Sequence, residues 1–266
     1  MSETYEILAL KYAEFTQRKR FESFIAADDH DGPHPIDYFI WVIRNAHHTI
    51  VVDTGFDAAE GAKRGRKVDR APAAALEEVG IAPGNVEQVV VTHLHYDHAG
   101  TLGAFPKARF HLQEAEMAYA TGSCMCHNHL RYPFTVEHVC EMVKNVYSGR
   151  VEFHDGDAEI APGVTVHKVG GHSRGLQCVR VVTATGPVVL ASDGSHFYEN
   201  FEKGKVFPIT IDIGDVLDGY KRLTALAGSA KRVVPGHDPL VLKRYPPLNA
   251  RTEGIVHRLD VARLDG

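Results

Sequence analysis

Four ligand-type side chains crowd into six residues, His93-Leu94-His95-Tyr96-Asp97-His98, directly after the apolar run Val89-Val90-Val91-Thr92 and before Ala99-Gly100. The run reads as a buried β-strand, so the fold must deliver this polar segment to a strand end. On an extended end of chain His93 and His95 point to the same side, because side chains alternate. A tight turn then swings Asp97 and His98 towards a second point nearby. Such a segment can serve two metal ions, imidazole and carboxylate being the usual zinc ligands. The plainer alternative, a polar loop whose histidines bond only to backbone, suits a lone histidine better than this spacing.

Three further residues of ligand type stand in the same context. His172 lies in Val169-Gly170-Gly171-His172-Ser173, after the alternating run Val164–Val169. Asp193 ends the run Pro187-Val188-Val189-Leu190-Ala191-Ser192, and His237 follows Val233-Val234-Pro235-Gly236. Each comes just after a buried-looking strand and beside glycine, which lets backbone approach a crowded centre. Any one alone fits a turn residue; together with the first motif they read as ligands.

In this order His93, His95, Asp97, His98, His172, Asp193 and His237 resemble the metallo-β-lactamase superfamily. Asp53-Thr54-Gly55, after Thr49–Val52, is similar to that superfamily's early Asp-Thr-Gly turn, and the likeness runs from about residue 37 to 240. An aspartate at 193 is unlike the zinc β-lactamases that use cysteine there. It is similar to the acyl-homoserine-lactone lactonases and to glyoxalase II, and the ending Pro235-Gly236-His237-Asp238 favours the lactonase-like branch. The resemblance implies an α+β fold, a four-layer αββα sandwich. It also implies two divalent metal ions, zinc first with iron or manganese as alternatives. One would take His93, His95 and His172, the other Asp97, His98 and His237, with Asp193 bridging. A hydroxide held between the ions would attack the carbonyl of a lactone or related cyclic ester.

Asp97 and Asp193 are therefore expected catalytic residues, and Asp53 is expected to orient a ligand histidine, a turn cap being its other reading. In acyl-homoserine-lactone lactonases a tyrosine stands three residues after the bridging aspartate. Here that position is His196, followed by Phe197 and Tyr198. His196 or Tyr198 is expected to donate to a developing oxyanion. Met117, Tyr119, Met125, Tyr132 and Phe134 are candidates to line a pocket, Arg174 to meet an anion. Cys124-Met125-Cys126-His127-Asn128-His129 lacks a second cluster at structural-zinc spacing and reads as a loop or pocket rim.

The charge balance limits the partners. A net charge of −5 argues against a nucleic-acid surface. No apolar run approaches a membrane span and no signal peptide is visible, so a cytoplasmic protein with a small-molecule substrate is expected. Four cysteines in 266 residues do not suggest a disulfide scaffold. Homo-oligomerisation stays open.

Along the chain, residues 5–15, 37–53, 87–92 and 108–112 read as strands, 72–79 as a helix stopped by Gly80, and 26–35 as a surface loop. The stretch 113–149 reads as a helical insertion, 151–193 as mostly strand, and a helix at about 215–227 precedes a final strand at 231–234. Strand runs accompanied by helices suit two packed sheets with helices outside, in one domain over 1–266. Two other activities compete. A glyoxalase-II-like thioesterase is disfavoured, because the 29 residues after His237 are too few for a glutathione-binding helical region. A one-iron dioxygenase is disfavoured because Asp97 and His98 are both present.

Overall fold

The computed structural model describes residues 3–26 and 32–265; part of the loop expected at 26–35 and the extreme N-terminus lie outside them. Strands β1 (Glu6–Phe15), β2 (Ile36–Arg44), β3 (Thr49–Val52), β4 (Lys67–Val68), β5 (Gln88–Val90), β6 (Arg109–Gln113) and β7 (Val151–His154) form one sheet. Strands β8 (Ala158–Ala161), β9 (Val164–Lys168), β10 (Gln177–Thr183), β11 (Gly186–Ser192) and β12 (Val233–Pro235) form the second. The chain then returns to the first sheet as β13 (Val256–Arg258), giving the order β13-β1-β2-β3-β5-β6-β7, with β4 paired to β1. The second sheet runs β12-β11-β10-β9-β8.

β2 shows why the sequence dictates layers. Its run Ile36-Asp37-Tyr38-Phe39-Ile40-Trp41-Val42-Ile43 is buried at every position, as expected of a strand covered on both faces. Tyr38, Ile40 and Val42 join the cluster beneath helices α2 (Pro72–Glu77) and α5 (Val136–Tyr147), which contribute Ala75, Leu76, Val139 and Met142. Phe39, Trp41 and Ile43 point the other way, against Val166, Val179, Val181 and Leu190 of the second sheet. A third cluster sets Cys178, Val189 and Ala191 against Leu223 and Ala227 of a helix over Ile213–Ala227. Three apolar interfaces separate four layers, and the fold is the expected αββα sandwich.

That outer helix is specified locally. Asp212 accepts from the Asp215 N–H at 3.0 Å, satisfying one of the free donors at a helix start. Val216, Gly219, Tyr220, Leu223 and Ala227 repeat at helical spacing on its buried face, and Gly228 closes it at φ 71°. Truncating the fully buried Leu223 to alanine would cost about 2–5 kcal/mol.

Several boundaries differ from the sequence reading. Residues 37–53 form two antiparallel strands, with Trp41 opposite Val52, because the Asn45 side chain accepts from the His47 and His48 N–H groups and turns the chain. Helix α1 (Ala58–Arg64) was not expected; Asp57 caps it and Gly65 ends it. The strand at 233–235 is followed by β13, which pairs Leu8 with Arg258. The 113–149 segment resolves into α3 (Glu114–Thr121), a short α4 (Asn128–Arg131) and α5. Among the described residues no helix is long and apolar enough to cross a membrane.

Candidate metal centre

The seven ligand-type residues come from strand ends of both sheets. β3 and β5 run parallel as neighbours, so their C-terminal turns lie side by side, and the Asp53 N–H donates to Val90 O at 2.8 Å. β11 and β12 run parallel in the other sheet and present Asp193 and His237 together. Gly236 is needed there, since a Cβ on it would lie 2.8 Å from Asp193 Oδ1. All seven residues are at most 8% exposed.

His172 Nε2 lies 3.2 Å from His93 Nε2 and 2.9 Å from His95 Nδ1. His98 Nε2 lies 3.6 Å from Asp97 Oδ2, and His237 Nε2 lies 3.7 Å from the same oxygen. Asp193 sits between the groups, Oδ2 being 3.2 Å from His172 Nε2 and Oδ1 3.0 Å from His237 Nε2. Ligand atoms of His93, His95 and His172 fall in one potential cation site, those of Asp97, His98 and His237 in another, and His93, His98 and Asp193 join the two.

The outward nitrogens of these rings are already committed. His98 Nδ1 donates to Asp53 Oδ2 at 2.7 Å, His172 Nδ1 to Ile209 O at 2.6 Å, and His237 Nδ1 to Asp37 O at 2.9 Å. His93 Nδ1 is 3.1 Å from Thr92 Oγ1. Each of the three donating rings then directs its other nitrogen inward, the one a metal ligand offers once any proton there is displaced. Inward-facing lone pairs on buried nitrogens repel one another and leave hydrogen bonding unsatisfied. His98 Nε2 and Asp193 Oδ1 are buried without a hydrogen-bond partner although only 3.3 Å apart. A divalent cation on each side would resolve both conflicts, so the donor set fits two metals.

The electrostatics agree. Burial and the neighbouring imidazoles push His93 and His95 well below their ordinary pKa, so both stay neutral. Burial opposes charge on His98, but Asp193, Asp97 and Asp53 outweigh it and raise its pKa well above normal. Burial likewise disfavours the Asp193 carboxylate, yet His237, His98, His196 and His172 hold its pKa well below the usual range. Positive charge is strongly favoured where the carboxylates meet the rings.

Asp53 contacts the ring of His98, as an orienting residue would. Besides His98 it receives Thr92 N–H at 2.8 Å and Thr92 Oγ1 at 2.9 Å, and it adopts φ 61°. His196 is brought to the centre, but its Nε2 lies 3.0 Å from Asp193 Oδ2, and its ring stacks on Phe207 at 3.9 Å. Its donor is thus engaged with Asp193 rather than with open space. Tyr198 lies elsewhere: its ring packs in the cluster between the sheets with Arg244 over it at 3.8 Å, and its hydroxyl has no partner. The chain turns into α6 (Tyr198–Lys203) at that residue, which carries the ring away from the ligands.

Beside His95 and His172 opens a cavity of about 290 Å³ lined by Tyr119, Leu130, Tyr132, Pro133, Ile209 and Ile211, among others. Phe134 packs edge-on against His95 at 4.6 Å. Met117 instead packs against the core, Met125 is not part of that lining, and Arg174 is exposed. Among the described residues Cys124, Cys126, His127 and His129 form no three-ligand group, although His129 borders the cavity.

Glu116 was missed by sequence reasoning. This fully buried carboxylate accepts from Leu94 N–H at 2.9 Å, Ser173 Oγ–H at 2.7 Å and Gly175 N–H at 2.9 Å. It ties the loop of His93 and His95 to the loop of His172. Its only sequence signal is a glutamate in the first turn of α3, where the same residue type commonly serves the helix dipole. Tyr12, whose hydroxyl donates to Asp97 O at 3.0 Å, was missed in the same way.

A family model described as the metallo-beta-lactamase superfamily matches residues 35–237. An N-acyl homoserine lactonase of a Bacillus species is 32% identical over 167 residues, 61% of this chain and 60% of that protein. An N-acyl homoserine lactonase of Azorhizobium caulinodans is 28% identical over 177 residues, 64% of this chain and 65% of the relative. The matched stretch thus spans under two thirds of these relatives' length. Among solved structures, a quorum-quenching N-acyl homoserine lactone lactonase superposes with a TM-score of 0.74 at 24% identity, covering 90% of this chain and 94% of that one. A dizinc quorum-quenching lactonase in complex with a product gives 0.71 at 13% identity, covering 90% and 89%.

Proposed function

Because the chain belongs to the metallo-β-lactamase superfamily, we propose that it is a metal-dependent hydrolase that opens lactone rings, with N-acyl homoserine lactones as the first class to test. The observation that carries the reading is the convergence of seven buried ligand-type residues on two adjoining points. The likeness to N-acyl homoserine lactonases supports the choice of lactones.

His93, His95 and His172 would hold one divalent ion, Asp97, His98 and His237 the other, and Asp193 would be shared. Zinc suits this nitrogen and oxygen set. When bound, such a pair polarises a carbonyl and lowers the pKa of water. The protein's own residues do the rest. Asp53, Ile209 O and Asp37 O fix three ligand rings through their outer nitrogens. His196 Nε2–H holds Asp193 Oδ2, keeping the shared carboxylate in one orientation. The Tyr119, Leu130, Tyr132 and Ile211 walls receive the apolar part of the substrate beside His95 and His172 and exclude water from it. Asp97 is the more open of the two ligand carboxylates, at 8% exposure against 3% for Asp193.

The test is a proton-release screen of zinc-, iron- and manganese-loaded protein against acyl-homoserine lactones, simple lactones, thioesters and β-lactams. Turnover led by lactones is expected. Inertness towards every lactone with two metals bound, or preference for thioesters, would overturn the lactonase reading.

A further inference from the structure

Two basic runs, Gln17-Arg18-Lys19-Arg20 and Lys63-Arg64-Gly65-Arg66-Lys67, stand out in a chain of net charge −5. The fold brings them together: Arg18 follows β1 and Arg66 precedes β4, and these strands pair antiparallel with Glu14 opposite Lys67. Most of the cations are answered by carboxylates, Arg20 by Glu199, Lys63 and Arg64 by Glu60, and Lys67 by Glu14 and Asp69. Arg18 and Arg66 are not. Arg18 donates to Ser23 Oγ at 3.0 Å and Glu22 O at 2.6 Å, and Arg66 to Arg64 O at 2.9 Å. Among the described residues neither has an ion pair. The Glu22 carboxylate turns instead to the Lys19 N–H at 2.6 Å.

These two cations face the metal centre across one aromatic ring. Both act on the Tyr38 hydroxyl, as does the Asp97 carboxylate, and Arg66 stands beside the hydroxyls of Tyr38 and Tyr96. Those hydroxyls lie 3.1 Å apart, so one O–H bonds the other oxygen and the second O–H is left over. The Tyr38 ring meets the His237 ring edge-on at 5.2 Å. We infer, building on the lactonase reading, that Arg66, Arg18 and Tyr38 form an anion subsite beside the Asp97 and His237 side of the centre, and that the lactone taken there carries a carboxylate or phosphate. The cluster offers donors and positive charge without a matching acceptor, and a planar guanidinium grips two oxygens of such a group at once. The Phe15 ring lies 4.0 Å under the Arg66 guanidinium and fixes its plane. Both arginines are half-buried, open enough for a ligand to reach and sheltered enough for the charge to count. Burial lowers the pKa of Arg18 and Arg66 pushes the same way, so an anion beside them relieves both. The apolar cavity next to His95 and His172 lies at the other ion, which makes the fitting substrate apolar at one end and anionic at the other. The competing reading is a solvated basic face that binds nothing.

Metal-loaded wild type, Arg66→Met, Arg18→Gln and Tyr38→Phe are compared on γ-lactones whose side chain ends in a carboxylate, a phosphate or the neutral methyl ester. Wild type should favour the charged lactones by about 10–100-fold in kcat/KM, carried by KM rather than kcat. That ratio should collapse in Arg66→Met, shrink in Arg18→Gln and Tyr38→Phe, and fall with added salt. Whichever charged lactone leads identifies the group. Calorimetric titration with adipate and suberate, against their monomethyl esters, reads the subsite without turnover: the diacids should bind more tightly in wild type and lose that margin in Arg66→Met. Arg18→Gln and Tyr38→Phe keep the test valid should Arg66→Met fail to fold. Hydrolysis of the methyl ester with no gain from charge, or a gain that survives both arginine changes, would overturn the subsite and leave the lactonase reading standing. Inert lactones with an Arg66-dependent diacid margin would do the reverse.

Discussion

Replacing Glu116 with glutamine tests whether one carboxylate outside the ligand set governs the centre. The amide has nearly the same volume but only one acceptor oxygen. If that oxygen serves Ser173 and Gly175, the NH2 group opposes the Leu94 N–H, whose bond to Oε1 is 2.9 Å in the native protein. A buried N–H left without an acceptor costs about 1–3 kcal/mol. The two remaining bonds lose their charge assistance, about 1 kcal/mol each. Part of this is offset: burial raises the Glu116 pKa despite its three donors, so the ionised form carries a desolvation cost that the amide avoids. The net expectation is about 2–3 kcal/mol, or a melting temperature lower by about 5–10 °C for a chain of this size. Because Leu94 lies between His93 and His95, and Ser173 follows His172, the same change should weaken metal binding about 10–100-fold, the usual effect of a lost orienting contact. Calorimetry of the metal-free protein reads the first effect and chelator competition the second. A variant within about 2 °C of wild type and with unchanged metal affinity would refute the argument.

Other substitutions separate further parts of the design. Asp193→Asn should leave the fold intact but bind fewer than two metals and hydrolyse far more slowly, because a neutral amide cannot bridge two cations; elemental analysis with single-substrate kinetics checks it. Asp53 occupies φ 61°, which asparagine tolerates better than alanine, so Asp53→Ala should destabilise more than Asp53→Asn, while both weaken metal binding through His98. Arg20, then Lys205 and Lys203, hold the Glu199 carboxylate down to about 2 against partial burial. Its folded pKa lies below the unfolded value, so its contribution is complete above about pH 4.5 and fades as pH falls towards 2. The stability gap between wild type and Glu199→Gln, measured by urea unfolding, should therefore be constant near neutrality and close across that acidic window. A gap that widens in acid would reverse the assignment.

What could be read from the chain follows from how local each signal is. His93, His95, Asp97 and His98 sit in one short motif after a strand, and His172, Asp193 and His237 repeat its context, so the structure brings together all seven. Tyr198 failed because its direction depends on where α6 begins, one residue after Phe197, which spacing from Asp193 does not reveal. His196 reached the centre, but its partner was set by the fold: Asp193 and the Phe207 ring, eleven residues on. Glu116 was illegible because its three partners lie 22, 57 and 59 residues away. The hairpin at Asn45 hid inside an apolar stretch for a different reason: its turn is made by a side-chain oxygen rather than by glycine or proline. The burial of β2 on both faces, by contrast, was visible as an unbroken apolar run.

The origin of the ligands in two different sheets has a mechanical consequence. His93, His95, Asp97 and His98 hang from the end of β5, whereas His172, Asp193 and His237 hang from β9, β11 and β12. A metal pair seated there stitches the halves of the sandwich along one rim, while Trp41, Val179 and Leu190 glue them along the middle. Stitch and glue resist the same separation, so each strains when the other loosens. A cavity cut at Trp41 would let the rims drift and so slacken the grip on the ions. Removing the ions would in turn free the rim to breathe, first in amide exchange at β5 and β11 and only later at the distant edges. Metal affinity in this protein thus acts as a gauge of how firmly its two sheets are pressed together.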